Sequence, residues 1–305
     1  MDDIKLIGSE LLGTGVSFSS LEVLCFRDMH GWEVWSANGG VVEIVFPCLQ
    51  ELYIDDCPNL VEVSLNILPR LNALKIIGCG HVVLTSLVQV AASIMELGIW
   101  HISGLTDELW GGVIKYIGNV EEVRINWCNK ITYLWESEAI VGKYLVNIKK
   151  LVVCECENLV SLEEKEEENC ESKLTSLRIL EVSFCKSMLH CSCPDSVETL
   201  NISSCPTVTC VFFPTGGQKI KSLAIDDCQK LWEKEFNGGR DKKTRMLSNT
   251  SMPILEDLQI SCWMNLKVVI DLSYFIRLTE LVIEDCPIME SFPDHELPNL
   301  TLLKL

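Results

Sequence analysis

Sixteen cysteines and five histidines are the residues of this 305-residue chain best suited to chemistry, since thiolates and imidazoles bind zinc and thiolates attack electrophiles. Their densest cluster is Cys185, His190, Cys191 and Cys193, with Cys205 further on. Zinc sites favour two to four residues between paired cysteines, whereas Cys191-Ser192-Cys193 leaves one. The cluster therefore reads as core thiols, and His30, His81, His101 and His295 as scattered surface or turn residues. Gly8-Ser9-Glu10-Leu11-Leu12-Gly13-Thr14-Gly15 has the glycine spacing of a phosphate-binding loop, but Thr14 stands where the lysine that meets the phosphates is required. The sequence contains neither a Gly-x-Ser-x-Gly elbow nor a His-Glu-x-x-His pair. The expectation is a protein without catalytic residues, bound metal or cofactor.

The cysteines make sense once they are placed by period. Apolar residues recur at positions one, four and six of a unit whose ninth residue is cysteine: Leu49, Leu52, Ile54, Cys57; Leu71, Leu74, Ile76, Cys79; Ile148, Leu151, Val153, Cys156; Leu177, Leu180, Val182, Cys185. Cys128, Cys205, Cys228 and Cys286 fill the same slot, while Met29, Ile102 and Trp263 replace the cysteine in three units. A metal-bound or catalytic ladder would not accept those replacements. A small, mostly apolar group with a weak S–H donor, placed where the chain turns out of a strand, explains the slot without chemistry. Pro58, Pro206 and Pro287 follow directly and end the strand.

Eleven units align, starting at Leu21, Leu49, Leu71, Ile94, Val120, Ile148, Leu177, Val197, Ile220, Leu255 and Leu278, with a partial twelfth at Leu300. Position twelve is apolar as well: Trp32, Leu60, Val82, Leu105, Ile131, Leu159, Met188, Val208, Leu231, Leu266 and Met289. Alternation at positions four and six predicts a short strand with one buried side, and stacking such units buries a continuous core. The predicted fold is an α/β solenoid, a leucine-rich-repeat horseshoe with a parallel concave β-sheet and an irregular or short-helical convex side, forming a single domain over residues 1–305. Three longer insertions, 31–47, 161–173 and 232–253, read as solvated loops, the second carrying the acidic run Glu163-Glu164-Lys165-Glu166-Glu167-Glu168.

Composition narrows the partner. A net charge of −18 disfavours nucleic acid. The most apolar stretch, Val82 to Ile99, is broken by Gln89 and Glu96 and reads as a buried return segment rather than a membrane span. The acidic start, Met1-Asp2-Asp3-Ile4-Lys5, lacks the layout of a secretory signal, which points to the cytoplasm and to thiols that stay reduced. Sequons at Asn201, Asn249 and Asn299 are then chance matches.

Positions three, five, seven and eight fall on the open side of the predicted sheet. Early units offer Glu51, Tyr53, Asp55 and Asp56; central ones offer Lys75, Trp100, His101, Arg124, Trp127, Lys150 and Phe184; late ones offer Asp226, Asp227, Asp257, Glu280, Glu284 and Asp285. Aromatic side chains and arginine dominate protein interfaces. The candidate protein-binding residues are therefore Tyr53, Lys75, Trp100, His101, Arg124, Trp127, Lys150, Phe184, Asp226 and Asp227.

Phe18-Ser19-Ser20-Leu21-Glu22-Val23-Leu24-Cys25-Phe26-Arg27-Asp28-Met29, with Trp32-Glu33-Val34-Trp35, resembles a signature of plant nucleotide-binding leucine-rich-repeat disease-resistance proteins of the coiled-coil class. Phe46-Pro47-Cys48-Leu49-Gln50-Glu51-Leu52-Tyr53-Ile54-Asp55-Asp56-Cys57-Pro58-Asn59-Leu60 does so too. The resemblance covers the repeat array and implies an intracellular immune-receptor module. In it the repeats recognise a pathogen effector or a guarded host protein, and hold a nucleotide-binding module inactive until they do. That module is missing from this sequence, so the expectation is a fragment or a truncated product. Cysteine-bearing repeats also resemble those of F-box substrate adaptors for ubiquitin ligation, which would require a helical segment ahead of the repeats.

Overall fold

The structure is a computed structural model, and it describes residues 3–8, 18–36, 44–164, 174–213, 218–231, 252–264, 275–287 and 297–305. These gather into two compact units, one formed by 1–131 and 143–148, the other by 132–142 and 149–305.

In the first unit the sheet strands are β2 (Val23–Arg27), β4 (Glu51–Asp55), β6 (Ala73–Ile77), β7 (Glu96–Trp100) and β8 (Glu122–Asn126), all parallel and in chain order. Equal repeat positions are register partners: Leu52 faces Leu74, then Leu97, then Val123, while Ile54 faces Ile76, Ile99 and Ile125. All eight are buried, because a register slip of one residue would turn the whole apolar row to solvent. Leu24 and Phe26 of β2 are only half-buried.

The second unit repeats the arrangement with β10 (Lys150–Cys154), β12 (Ile179–Ser183), β14 (Thr199–Ser203), β16 (Ser222–Asp226), β17 (Asp257–Ser261), β18 (Glu280–Glu284) and β19 (Leu302–Lys304). Leu180, Leu200, Leu223, Leu258 and Leu281 form one buried row, and Val182, Ile202, Ile225, Ile260 and Ile283 the other. The expected fold class is the one observed: parallel strands, one per repeat, returning through short irregular or helical segments.

The returns hold more regular structure than the sequence suggests. In the first unit β1 (Leu6–Ile7), β3 (Val34–Ser36) and β5 (Glu62–Ser64) form a second small parallel sheet. The first insertion is accordingly not all solvated loop: Trp32 and Trp35 are buried with ring centroids 5.6 Å apart, and Phe26 and Phe46 pack beside them. Among the described residues of this unit two returns are helices, α1 (His81–Val90) and α2 (Asp107–Ile114). Val83, Leu84, Leu87 and Val88 make one buried stripe of α1, which leaves Val82 half-buried and transfers its expected core role to Val83. Thr106 caps α2, its hydroxyl accepting from the Leu109 N–H, with Asp107 and Glu108 in the first turn. No helix among the described residues is long and apolar enough to cross a membrane.

In the second unit β9 (Tyr133–Trp135) pairs with β11 (Ser161–Glu163), and β13 (His190–Ser192) with β15 (Cys210–Phe212). Glu163, the first residue of the acidic run, is buried rather than solvated. Its Oε2 accepts the N–H of Glu138 at 3.0 Å, at the start of the one-turn helix α3 (Glu138–Val141), and Glu138 Oε1 accepts the N–H of Leu174 at 3.0 Å. Glu163→Ala leaves that partly buried N–H without its acceptor and is expected to cost about 1–3 kcal/mol in urea unfolding, whereas Glu163→Gln keeps an acceptor oxygen and costs less. The remainder of the acidic run, 165–168, lies outside the described residues, as do 9–15 of the phosphate-loop-like segment, 232–251 of the third insertion, and Leu266, Met289 and His295.

Candidate protein-binding surface

The outward face is set by how each strand ends. Position eight has positive φ in every described repeat: Asp28, Asp56, His101, Trp127, Glu155, Phe184, Ser204, Asp227, Cys262 and Asp285 lie between 46° and 54°, and Gly78 at 62°. This left-handed residue, not strand alternation, turns position eight outward. Its N–H continues the sheet by donating to the position-seven carbonyl of the next repeat: Asp28 to Asp55, Asp56 to Ile77, Gly78 to Trp100, Phe184 to Ser203 and Ser204 to Asp226, all at 2.9–3.0 Å.

The ladder cysteine closes the same turn. The Sγ atoms of Cys57, Cys79, Cys128, Cys185, Cys205, Cys228 and Cys286 each donate to the carbonyl two residues back, at 3.2–3.5 Å. Burial pushes the Cys128 thiol up to about 11 and Cys228 up to about 12, and holds Cys191 and Cys193 well above the usual range. Cys57 with Cys79, and Cys185 with Cys205, occupy the same slot in adjacent repeats, and the neighbouring sulfur together with burial pushes Cys79 and Cys185 up. Thiols held protonated are poor ligands and poor nucleophiles. Among the described residues no group of three or more His, Cys, Asp or Glu is placed to hold a metal ion.

A second ladder escaped the sequence reading. The residue before position one bridges to the preceding repeat: Ser93 to the Leu71 carbonyl, Asn119 to Ala92, Asn147 to Gly118 and Asn299 to Ile276, at 2.7–3.0 Å. Recurrent Asn or Ser at that offset was the available signal, and it was masked by Arg, Lys and Ile in other repeats.

Of the predicted residues, the first unit brings Tyr53, Lys75, Trp100 and Arg124 around one cavity of about 560 Å³. Tyr53, Lys75 and Arg124 are position-five residues of β4, β6 and β8; Trp100 ends β7. The Tyr53 hydroxyl donates to Glu51, and that bond, with burial, pushes its pKa up to about 12. The Lys75 ammonium lies 5.0 Å from the Tyr53 ring centroid, and Arg124 pairs with Glu122. His101 and Trp127 stand at left-handed positions beyond β7 and β8, both exposed, Trp127 by 47%.

The candidates of the second unit lie on β10, just beyond β12, and at and beyond the end of β16. Lys150 pairs with Glu181 at 2.7 Å and is half-buried. Phe184 is 50% exposed. Asp226 accepts from Ser261 Oγ at 2.6 Å and Asp227 from Gln229 Nε2 at 2.9 Å, so each carboxylate of that pair is held by its own unit.

No known family profile matches the chain, and no curated protein matches its sequence. Among solved structures, it is similar to the crystal structure of a TLR13–ssRNA13 complex: 11% identical, TM-score 0.28, covering 92% of this chain and 62% of that one. The chain thus spans less than two thirds of that structure's length, and a likeness so distant bears no weight. The in-register rows, the left-handed turn and the thiol ladder carry the assignment instead: each unit is a leucine-rich-repeat-like parallel β-solenoid.

Proposed function

We propose that the protein is a non-catalytic recognition module that binds a protein partner across the outward face of its parallel sheets. The observation that carries this is the placement of large aromatics where the backbone disfavours them. Trp127 and Phe184 are exposed at left-handed positions that Asp or Gly occupies in sister repeats at lower conformational cost. Rigid, solvent-facing aromatics on a hydrogen-bonded scaffold bind with little further loss of entropy.

The finer reading follows the resemblance to plant disease-resistance receptors: the partner is a pathogen effector or a guarded host protein, and the nucleotide-binding module of a full-length receptor is a second, intramolecular partner. A cytoplasmic setting fits ladder cysteines that stand as free, buried thiols in adjacent repeats. Sequencing the transcript upstream of Met1 tests this level: a nucleotide-binding module with a lysine-bearing phosphate loop supports it, and an F-box segment overturns it.

The recognition surface itself is tested by selecting a displayed random-peptide library on the folded protein. Peptides so enriched are expected to lose about tenfold or more in affinity for Trp100→Ala or Trp127→Ala, as truncation of an interface anchor does, yet to bind Tyr116→Ala, altered beyond the end of α2, as they bind the parent. Enrichment of peptides indifferent to the sheet-face variants, or no enrichment, would overturn the proposal.

A further inference from the structure

Position five of β7 is glycine, and the side chain it lacks makes room for an aromatic platform. A Cβ on Gly98 would lie 2.3 Å from Cζ3 and 2.4 Å from Cη2 of Trp100, so the indole from position seven is folded back over the gap. Register places Lys75 on one side of Gly98 and Arg124 on the other, and Glu96 beside Glu122. The cavity of about 560 Å³ opens above this floor.

The charges around the indole are unevenly committed. Lys75 is drawn over the Tyr53 ring, and Arg124 is paired with Glu122. Glu51 receives the Tyr53 hydroxyl. Glu96 is exposed at the rim, close enough to Tyr53 for its charge to be felt there. Of the lining residues, the carboxylates Glu96 and Glu122 stand against the cations Lys75 and Arg124, with Glu51 behind them on the Tyr53 hydroxyl, in a chain of net charge −18. A guest anion would find both cations already engaged, and Glu96 facing it from the rim.

We propose that this pocket receives the side chain of an arginine on the partner protein, its guanidinium stacked on the Trp100 indole and its N–H edge turned to Glu96. The inference rests on the protein-recognition reading above and adds the chemistry of the guest. Guanidinium is preferred to ammonium because it is planar, weakly hydrated and able to stack and hydrogen-bond at once.

The test follows the Trp100 indole N–H signal by nuclear magnetic resonance, assigned through Trp100→Phe, while four capped peptides Gly-Ser-X-Ser-Gly are titrated with X as Arg, Lys, citrulline or Glu. The arginine peptide is expected to shift that signal saturably. The lysine peptide should bind about threefold or more weakly, and the citrulline and glutamate peptides should leave the signal in place. Glu96→Gln should weaken the arginine peptide about threefold or more, with the other indole signals unmoved as evidence of intact fold. Equal response to citrulline would overturn charge recognition. Response to the glutamate peptide would overturn the arginine assignment while leaving sheet-face recognition standing, and silence from all four would remove the pocket as a site. Failure of the recognition reading itself is separately visible, as library-selected peptides indifferent to Trp127→Ala.

Discussion

Raising the pH from about 8 to about 11 is expected to destabilise the folded protein steeply, with the loss beginning near 9, the ordinary value for a thiol here. Cys128 and Cys228 are pushed up, first by burial, to about 11 and about 12. Above 9 the unfolded thiols ionise while the folded ones keep their protons, so the unfolded state binds fewer protons and stability falls as pH rises. Each fully mismatched thiol contributes about 1.4 kcal/mol per pH unit until its folded value is reached. Below 9 the contribution is complete and flat. Urea unfolding measured across this range should show the fall, and a Cys128→Ala/Cys228→Ala variant should show a shallower one, because lysine and tyrosine titration remains but these two thiols do not. The ladder slot already accepts Met29, Ile102 and Trp263, so an apolar residue there leaves no polar group stranded. An unchanged slope in the double variant would mean the thiols are not buried as described.

Leu200→Ala is expected to cost about 2–5 kcal/mol, the usual price of a fully enclosed leucine. Leu200 is wholly buried in β14, with Leu180 and Leu223 as its register partners. Asn201, the next residue, faces outward, and Asn201→Ala should change stability by less than about 0.5 kcal/mol. Unfolding midpoints of the two variants test the register directly, since a strand shifted by one residue would reverse the order of their effects.

The inward face was legible in the sequence because it is written in residue type: leucine, isoleucine and valine at positions four and six admit no outward placement over so many repeats. The outward turn was not. Asp28, Asp56 and Asp227 hint at a left-handed residue, but His101, Trp127, Glu155 and Phe184 share its backbone and carry no such mark. Return-side strands escaped for a related reason, since segments as short as Val34–Ser36 and Ser161–Glu163 show no period to detect. The buried Glu163 was misplaced because its neighbours in sequence are charged, whereas its surroundings are fixed by the Glu138 backbone across the fold. At the candidate site the aromatic and basic residues could be named from alternation alone, but the role of Gly98 could not, because a missing side chain signals nothing until its neighbour is seen to fill the space.

The thiol ladder as a structural slot is the claim on which the register, and hence every outward residue, depends. It is tested most directly by alkylating the native protein with iodoacetamide and following each cysteine by peptide mass spectrometry. Cys25, exposed on β2, should react first, and the half-buried Cys154 and Cys262 more slowly. Cys57, Cys79, Cys128, Cys156, Cys185, Cys205 and Cys228 should stay unmodified, as free thiols, until the protein is unfolded. Ladder cysteines that label as fast as Cys25, or that are found joined as disulfides, would contradict it.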